Sequence, residues 1–210
     1  MKTILTSLTA LSLLTAIPFA HAASSVDLHV TGKITPSACE PSLSNGGVHD
    51  LGKIAAKDLN VDQPTPLPVQ NLQLTITCEG STLVALKPSD NRSGSHFDSE
   101  SPLKFGLGLV NGNEKVGSMI LNLLSITADG VQMYPIGSAP GASWSPTSIL
   151  SPTFLTSFTV TRGIPDLAPD PIQRLSADLQ ITPRIAPANT LTLTKEVPID
   201  GSATLEINYL

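Results

Sequence analysis

The chain is poor in basic and in aromatic residues. Its 210 residues include 12 Lys and Arg against 17 Asp and Glu, which gives a formal net charge of −5, and only 4% are aromatic. Nucleic acids and anionic membranes are bound through basic patches. The composition therefore argues against nucleic acid and against an anionic membrane as partners. It also leaves few rings for stacking against sugars.

Familiar catalytic and ligand-binding motifs are missing as well. The sequence has no G-x-S-x-G, no glycine-rich phosphate loop, no H-E-x-x-H pair and no EF-hand loop. His29, His49 and His96 have no third partner at a spacing that suits a metal or catalytic site. Asp166 and Asp170 offer too few oxygen ligands for calcium. We therefore expect no enzymatic activity, no cofactor and no metal site.

The one long apolar run lies at the start of the chain. Ile4–Phe19 is mostly apolar, Lys2 precedes it, and Ala20-His21-Ala22 has the small-x-small form of a secretory cleavage site. The run is too short and too interrupted for a membrane-spanning helix. We expect residues 1–22 to be a signal peptide and residues 23–210 to form one exported domain without a transmembrane segment.

Only two cysteines are present, Cys39 and Cys78. An even count in an exported chain indicates a disulfide bond. A metal or redox pair would require the C-x-x-C spacing or nearby histidines that the sequence lacks. The bond would close a loop of about 40 residues and remove roughly 4 kcal/mol of unfolded-state entropy.

Short alternating runs separated by turn signals fill the rest of the chain. From Leu72 to Cys78 every second residue is apolar, and this period of two predicts a core strand that carries the second cysteine inward. Asn111-Gly112 and Asp129-Gly130 are hairpin signals. We count eight to ten strands and no convincing amphipathic helix. The pattern predicts an all-β fold, an antiparallel β-sandwich.

Alternating runs also lie at both ends of the predicted mature chain. The first run precedes Gly32 and Cys39 and has the apolar residues Val26, Leu28 and Val30. The second run follows Gly201, ends at Leu210 and has the apolar residues Ala203, Leu205, Ile207 and Tyr209. At about 3.3 Å per residue the last ten residues span roughly 33 Å, enough to cross a sandwich. Proteins rarely leave the edge of such a strand uncovered.

Both ends resemble those of chaperone–usher pilus subunits, which have an alternating run before the first cysteine and a penultimate tyrosine in the last strand. Cys39–Val48, Leu72–Cys78, Val84–Arg92 and Asp200–Leu210 are also similar to an uncharacterised family of exported bacterial fimbrial-like proteins, domain of unknown function 1120. The resemblance implies an immunoglobulin-like sandwich of the pilin type, which in pilus subunits lacks its final strand. It brings no established activity.

In pilus subunits a periplasmic chaperone fills the resulting groove, and the amino-terminal extension of the next subunit then replaces it. The resemblance therefore implies that Gly201–Leu210 forms a wall of the groove, that the Leu210 carboxylate is anchored by the chaperone, and that Ser24–Val30 is a donor strand. The implied partners are a chaperone, an outer-membrane usher and other fimbrial subunits. The implied route runs through the periplasm to a fimbria, to the cell surface or to secretion.

Alternatives to a polymerising subunit stay open. The run before Cys39 is shorter than the usual donor, so a minor or terminal subunit could accept a strand and donate none. Trp144 could stack on a sugar in an adhesin that binds a host receptor, or it could simply anchor its loop. A strand near Thr190–Thr194 could fill the groove from within and give a self-complemented monomer.

Overall fold

The computed structural model describes residues 28–32, 38–98, 101–140, 142–163 and 167–210. The chain divides into two compact units, residues 1–34 and residues 35–210. In the first unit, residues 28–32 form no regular secondary structure. The predicted signal peptide lies outside the described residues and stays a prediction.

Within the described residues, the second unit contains fifteen strands, three 3-10 helices and no α-helix. In chain order the strands are β1 (Cys39–Leu43), β2 (Thr65–Pro66), β3 (Gln70–Thr82), β4 (Val84–Asp90), β5 (Phe105–Gly106), β6 (Leu109–Val110), β7 (Glu114–Lys115), β8 (Gly117–Ala128), β9 (Val131–Gln132), β10 (Tyr134–Ser138), β11 (Ser145–Pro146), β12 (Ile149–Leu150), β13 (Leu155–Thr159), β14 (Ile172–Ile185) and β15 (Ala203–Tyr209). The 3-10 helices are Ser44–Gly47, Ala56–Asp58 and Ala188–Thr190. Among these described elements, no helix has the length and apolar character needed to cross a membrane.

Two antiparallel sheets hold most of these strands. The first has the order β1-β3-β14-β8-β12, with β2 beside β14 and with β5 and β9 beside β8. The second has the order β11-β10-β13-β4-β15, while β6 and β7 form a separate hairpin. The prediction of an all-β, antiparallel sandwich is confirmed. The described residues form fifteen strands, more than the eight to ten expected, and seven of them are only two residues long.

The main core lies between the two sheets. Four alternate residues of β3 are at most 3% exposed, namely Leu72, Leu74, Ile76 and Cys78. They share one apolar cluster with Leu86 of β4 and Phe158 of β13, on the other sheet. Because successive side chains of a strand point to opposite faces, the period of two correctly predicted which face of β3 is buried.

The hairpin at Asp129-Gly130 is confirmed. Ala128 of β8 pairs with Val131 of β9, and the two residues between them have φ angles of 51° and 83°. Positive φ at both central residues defines the tight turn that matches the twist of two antiparallel strands. Asparagine, aspartate and glycine adopt this conformation at the least steric cost.

A second, smaller apolar cluster lies apart from the main core. Its buried members are Leu67, Leu107, Val116 and Ile185. Partly buried residues of two loops pack against it, namely Leu51, Ile54, Leu59, Leu191, Val197 and Ile199. This cluster fixes the loops that border the candidate site.

A substitution at Gly117 tests how closely the backbones of β8 and β14 pack. A Cβ atom there would lie 2.2 Å from the carbonyl oxygen of Arg184 on β14, so the backbones would have to separate. We expect Gly117→Ala to lower the unfolding free energy by about 2–3 kcal/mol, measured by chemical denaturation. Gly80→Ala in β3 is the matched control, because a Cβ there meets nothing within 4 Å. Equal losses in the two variants would contradict this packing.

Candidate functional site

The last strand, β15, has a neighbour on one side only. All seven of its residues pair with β4, and no other strand of the described chain pairs with it. Just beyond it, the Leu210 N–H donates to the Leu83 carbonyl at 3.1 Å. Along an antiparallel strand the N–H groups of successive residues point alternately to one side and to the other, and that of Leu210 points to β4. The amides that face the open edge are therefore those of Ala203, Leu205, Ile207 and Tyr209.

Opposite β15 lies β1, an edge strand of the other sheet, which pairs only with β3 among the described strands. We call β1 and β15 the two margins of the site. The disulfide between Cys39 and Cys78 fixes β1 beside β3, which confirms the predicted bond. The Cys39 N–H also donates to the Tyr209 hydroxyl oxygen at 2.9 Å. This hydrogen bond joins the two edge strands at one end.

A groove with a volume of about 810 Å³ opens between the two margins. Leu43 of β1 lines one side, and Ala203 and Leu205 of β15 line the other. The inner surface consists of core side chains of the first sheet, namely Leu72, Leu121, Leu179 and Ile181. The groove therefore runs beside β15 and over core side chains that are themselves at most 8% exposed.

Two loops extend the groove beyond the strands. Residues 47–54 contribute from one margin and residues 196–202 from the other. The Lys53 ammonium lies 3.2 Å from a Glu196 carboxylate oxygen, and both side chains are almost fully exposed. Exposed ion pairs of this kind contribute at most about 1 kcal/mol. The bridge between the loops is thus weak enough to open.

A bidentate ion pair fixes the chain where it enters β15. Arg92 Nε and Nη2 donate to the two carboxylate oxygens of Asp200 at 2.9 and 2.8 Å. The hydrogen bond from Arg92 lowers the pKa of the Asp200 carboxyl group. Gly201 follows, and a Cβ atom there would lie 2.6 Å from Leu107 Cδ2. Glycine therefore lets the backbone pass close to Leu107.

The prediction of a strand at Thr190–Thr194 is wrong. A 3-10 helix ends at Thr190, and no described strand lies between β14 and β15. Instead, the Glu114 carboxylate accepts hydrogen bonds from the Thr192 N–H at 2.7 Å and from its hydroxyl at 2.6 Å. Hydrogen bonds from Asn111 and Thr192 lower the pKa of Glu114. The side chain of Leu191 packs on the smaller cluster, so this segment does not fill the groove.

The predicted donor strand is described only in part. Val26 lies outside the described residues. Leu28 and Val30 are 87% and 88% exposed and belong to no strand. An extended segment without a paired neighbour gains no ladder hydrogen bonds and forms no stable strand alone. The donor role of these residues stays a prediction.

The predicted acceptor residues fall into two sets. Gly201, Ala203 and Leu205 line the groove, whereas Ile207 and Tyr209 do not. All of them except Gly201 pack against the main core. The role of the Leu210 carboxylate as a chaperone anchor stays a prediction.

The other predicted candidates lie away from the groove. Trp144 is half-buried just before β11 and does not line the groove. Asp166 lies outside the described residues. Asp170 accepts hydrogen bonds from the Thr159 hydroxyl at 3.0 Å and the Val160 N–H at 2.8 Å. Asp170 thus has a structural role in its loop.

Sequence reasoning missed the loop of residues 47–54 as part of the site. His49, Asp50, Leu51, Lys53 and Ile54 all line the groove. Both ring nitrogens of His49 are buried and have no hydrogen-bond partner among the described residues. No periodicity marks a loop of this kind, and only the fold brings it beside β15.

The fold and the groove define a class of protein, an antiparallel sandwich with a groove beside a last strand whose outer edge pairs with no described strand. Residues 28–103 match the family described as "Protein of unknown function (DUF1120)". This match supports the resemblance to that uncharacterised family noted from the sequence.

Two proteins of Escherichia coli strain K12 are similar over most of their length. "Uncharacterized protein YhcF" is 26% identical over 223 residues, which cover 91% of this chain and 93% of the relative. "Protein GltF" is 26% identical over 223 residues, with 88% of each chain covered. Neither description states an activity, so these similarities establish no function.

The ion pair at the start of β15 predicts a dependence of stability on pH. Because the folded-state pKa of Asp200 is lowered, its carboxylate stabilises the fold above the ordinary aspartate pKa of about 3.9. This contribution is lost as the pH falls through the folded-state pKa. Urea unfolding should therefore show a modest loss of stability for Asp200→Asn at pH 7, and the loss should shrink below about pH 4.

A double-mutant cycle provides the control. In an Arg92→Met background, Asp200→Asn should have little further effect, because the partner of the carboxylate is already gone. A loss that grows as the pH falls, or effects of the two substitutions that simply add, would contradict the role given to this ion pair.

Proposed function

We propose that this protein is a structural subunit of a bacterial surface fimbria and that its groove accepts a β-strand from another polypeptide. One observation supports this most strongly, namely that the outer edge of β15 pairs with no described strand and borders a groove that reaches core side chains. Strand edges of this kind are normally paired or covered. A strand added in the groove would both pair with the edge and cover the core.

The physical basis of this binding is β-augmentation. The incoming backbone would bond to outward-facing amides of β15 such as those of Leu205 and Ile207. Alternate side chains of the same strand would enter the groove beside the apolar core. Burying three such side chains is worth roughly 5–9 kcal/mol before the costs of association and ordering.

The proposed occupant is the amino-terminal segment of another subunit. Ser24–Thr31 of this chain has suitable chemistry, because Val26, Leu28 and Val30 alternate with polar residues. Before the subunit joins a fibre, a periplasmic chaperone would supply the strand and an outer-membrane usher would direct the exchange. The Cys39–Cys78 bond is typical of an oxidising compartment, which fits such a route.

Thermal melts of the chain of residues 23–210, with and without a peptide of residues 24–31, test the proposal. Alone, the chain should be of low stability and prone to aggregate, because the outer edge of β15 has no partner strand among the described residues. Excess peptide should raise its melting temperature. At a free peptide concentration of 100 Kd, mass action gives about 2.7 kcal/mol of stabilisation. A stable monomer that does not bind the peptide would contradict the proposal.

Two substitutions at adjacent positions of β15 provide a matched pair. Leu205 lines the groove, whereas Glu206 is exposed. Leu205→Lys places a charge where an apolar side chain should be buried. It should weaken peptide binding about tenfold or more, as measured by fluorescence anisotropy. Glu206→Lys should leave the affinity within about twofold. Equal affinities for the two variants would mean that the peptide binds elsewhere.

A further inference from the structure

Another pocket, with a volume of about 510 Å³, shares no lining residue with the groove beside β15. Residues of β8, of β10 and of the segment after β13 line it, and we call it the Tyr134 pocket. Its lining includes the buried apolar side chains of Leu123, Ile126, Met133 and Ile136. Four residues with a hydroxyl group also line it, namely Ser125, Thr147, Ser148 and Thr161. Its volume lies within the range of small-molecule sites.

Arg162 is the one charged residue among the described residues that line the Tyr134 pocket. Its guanidinium carbon lies 4.2 Å from the centroid of the Tyr134 ring, which is a cation–π contact. Within the described chain, no carboxylate forms an ion pair with this exposed side chain. Stacking uses the flat face of a guanidinium, whereas its N–H donors lie in the plane. The tyrosine ring therefore holds a positive charge at the pocket with its donors available.

The backbone of β8 is irregular beside the same pocket. Its register with β14 shifts between Ser176 and Asp178, and Ser125, in the part of β8 that faces this shift, has a φ of 50°. Leu124 and Ser125 are consequently both exposed, although neighbours in a regular strand face opposite sides. Bulges of this kind redirect side chains and often lie next to functional sites. Here the bulge places a hydroxyl group on the rim of the pocket.

These features together select a class of ligand. A guanidinium with free donors binds a carboxylate or a sulfate group through paired, charge-assisted hydrogen bonds. Hydroxyl side chains donate and accept hydrogen bonds and therefore suit a ligand with hydroxyl groups of its own. The buried apolar side chains suit the C–H surface of a ring. A sugar that carries an acid group offers all three complements.

We propose that the Tyr134 pocket binds an acidic sugar and that the Arg162 guanidinium holds its acid group. The hydroxyl groups of the rim bind the hydroxyl groups of the sugar. Tyr134 is a positioning residue, because it acts through the guanidinium that it holds. The proposal goes beyond the proposed function and does not depend on it, since the pocket and the groove have no lining residue in common.

NMR titration of the isotope-labelled chain of residues 23–210 tests the site. The probes are glucuronate, glucose 6-sulfate, neutral glucose and acetate. The unlabelled peptide of residues 24–31 is added, so that the sample stays folded if the groove needs a strand. At least one of the two acidic sugars should shift the amide signals of Ser125, Tyr134 and Arg162. It should bind about tenfold or more tightly than glucose, which lacks the charge, and than acetate, which lacks the ring.

Variants of the two stacked residues separate binding from packing. Arg162→Gln should weaken binding of the acidic sugar about tenfold and leave the weak binding of glucose unchanged. Arg174→Gln removes an exposed arginine that does not line this pocket, so it should keep the affinity within about twofold. Tyr134→Leu should weaken binding because the guanidinium loses its support, whereas Tyr134→Phe keeps the ring and should restore the affinity.

Each outcome decides the proposal. Binding of glucuronate alone would assign a carboxylate to the ligand, and binding of the sulfate ester alone would assign a sulfate. Equal binding of the acidic sugars, glucose and acetate would overturn the proposal, as would signal shifts confined to other residues. Equal losses for Arg162→Gln and Arg174→Gln would overturn it too. Leu205→Lys should bind the acidic sugar normally, so failure of the sugar site and failure of the proposed function are distinguishable.

Discussion

The unpaired edge of β15 is the constraint on which the rest of the structure depends. An antiparallel sandwich needs both of its sheets to cover the apolar side chains between them, and beside β15 the loops of residues 47–54 and 196–202 border this space instead of a strand. Its inward residues, such as Leu205 and Ile207, pack on the core but are only partly buried. Along β15, therefore, both the backbone hydrogen bonding and the burial of apolar side chains are incomplete. A single added strand would satisfy both.

The surrounding contacts hold the strands and loops that border the groove. The Cys39–Cys78 disulfide ties β1 to β3, and the hydrogen bond from the Cys39 N–H to the Tyr209 hydroxyl ties β1 to β15 at one end. The pair of Arg92 and Asp200 sets the direction in which the chain enters β15. The Glu114 carboxylate accepts a hydrogen bond from the Thr192 N–H and so holds the segment that precedes β15 away from the groove. Each of these contacts fixes one point of the surrounding strands and loops, so together they position the walls without closing the space between them.

Sequence reasoning predicted the features that depend on near neighbours. The alternation up to Cys78, the disulfide and the turn at Asp129-Gly130 each follow from spacing or from backbone preference over a few residues. It failed at Thr190–Thr194 because a hydrogen bond that Thr192 donates to Glu114, 78 residues away, decides that conformation. It missed His49 for the same reason, since the groove joins loops that are distant in the chain. Ser125, with a φ of 50° inside β8, likewise has no local signal.

Amide hydrogen exchange along β15 tests the central claim most directly. In the isolated chain, the amides of Leu205 and Ile207 should exchange rapidly, whereas those of Glu206 and Asn208, which bond to β4, should be protected. Adding the peptide of residues 24–31 should protect the first pair and leave the second little changed. Protection of Leu205 and Ile207 in the isolated monomer would show that the edge is already covered. That result would contradict the account of β15 as an open acceptor strand.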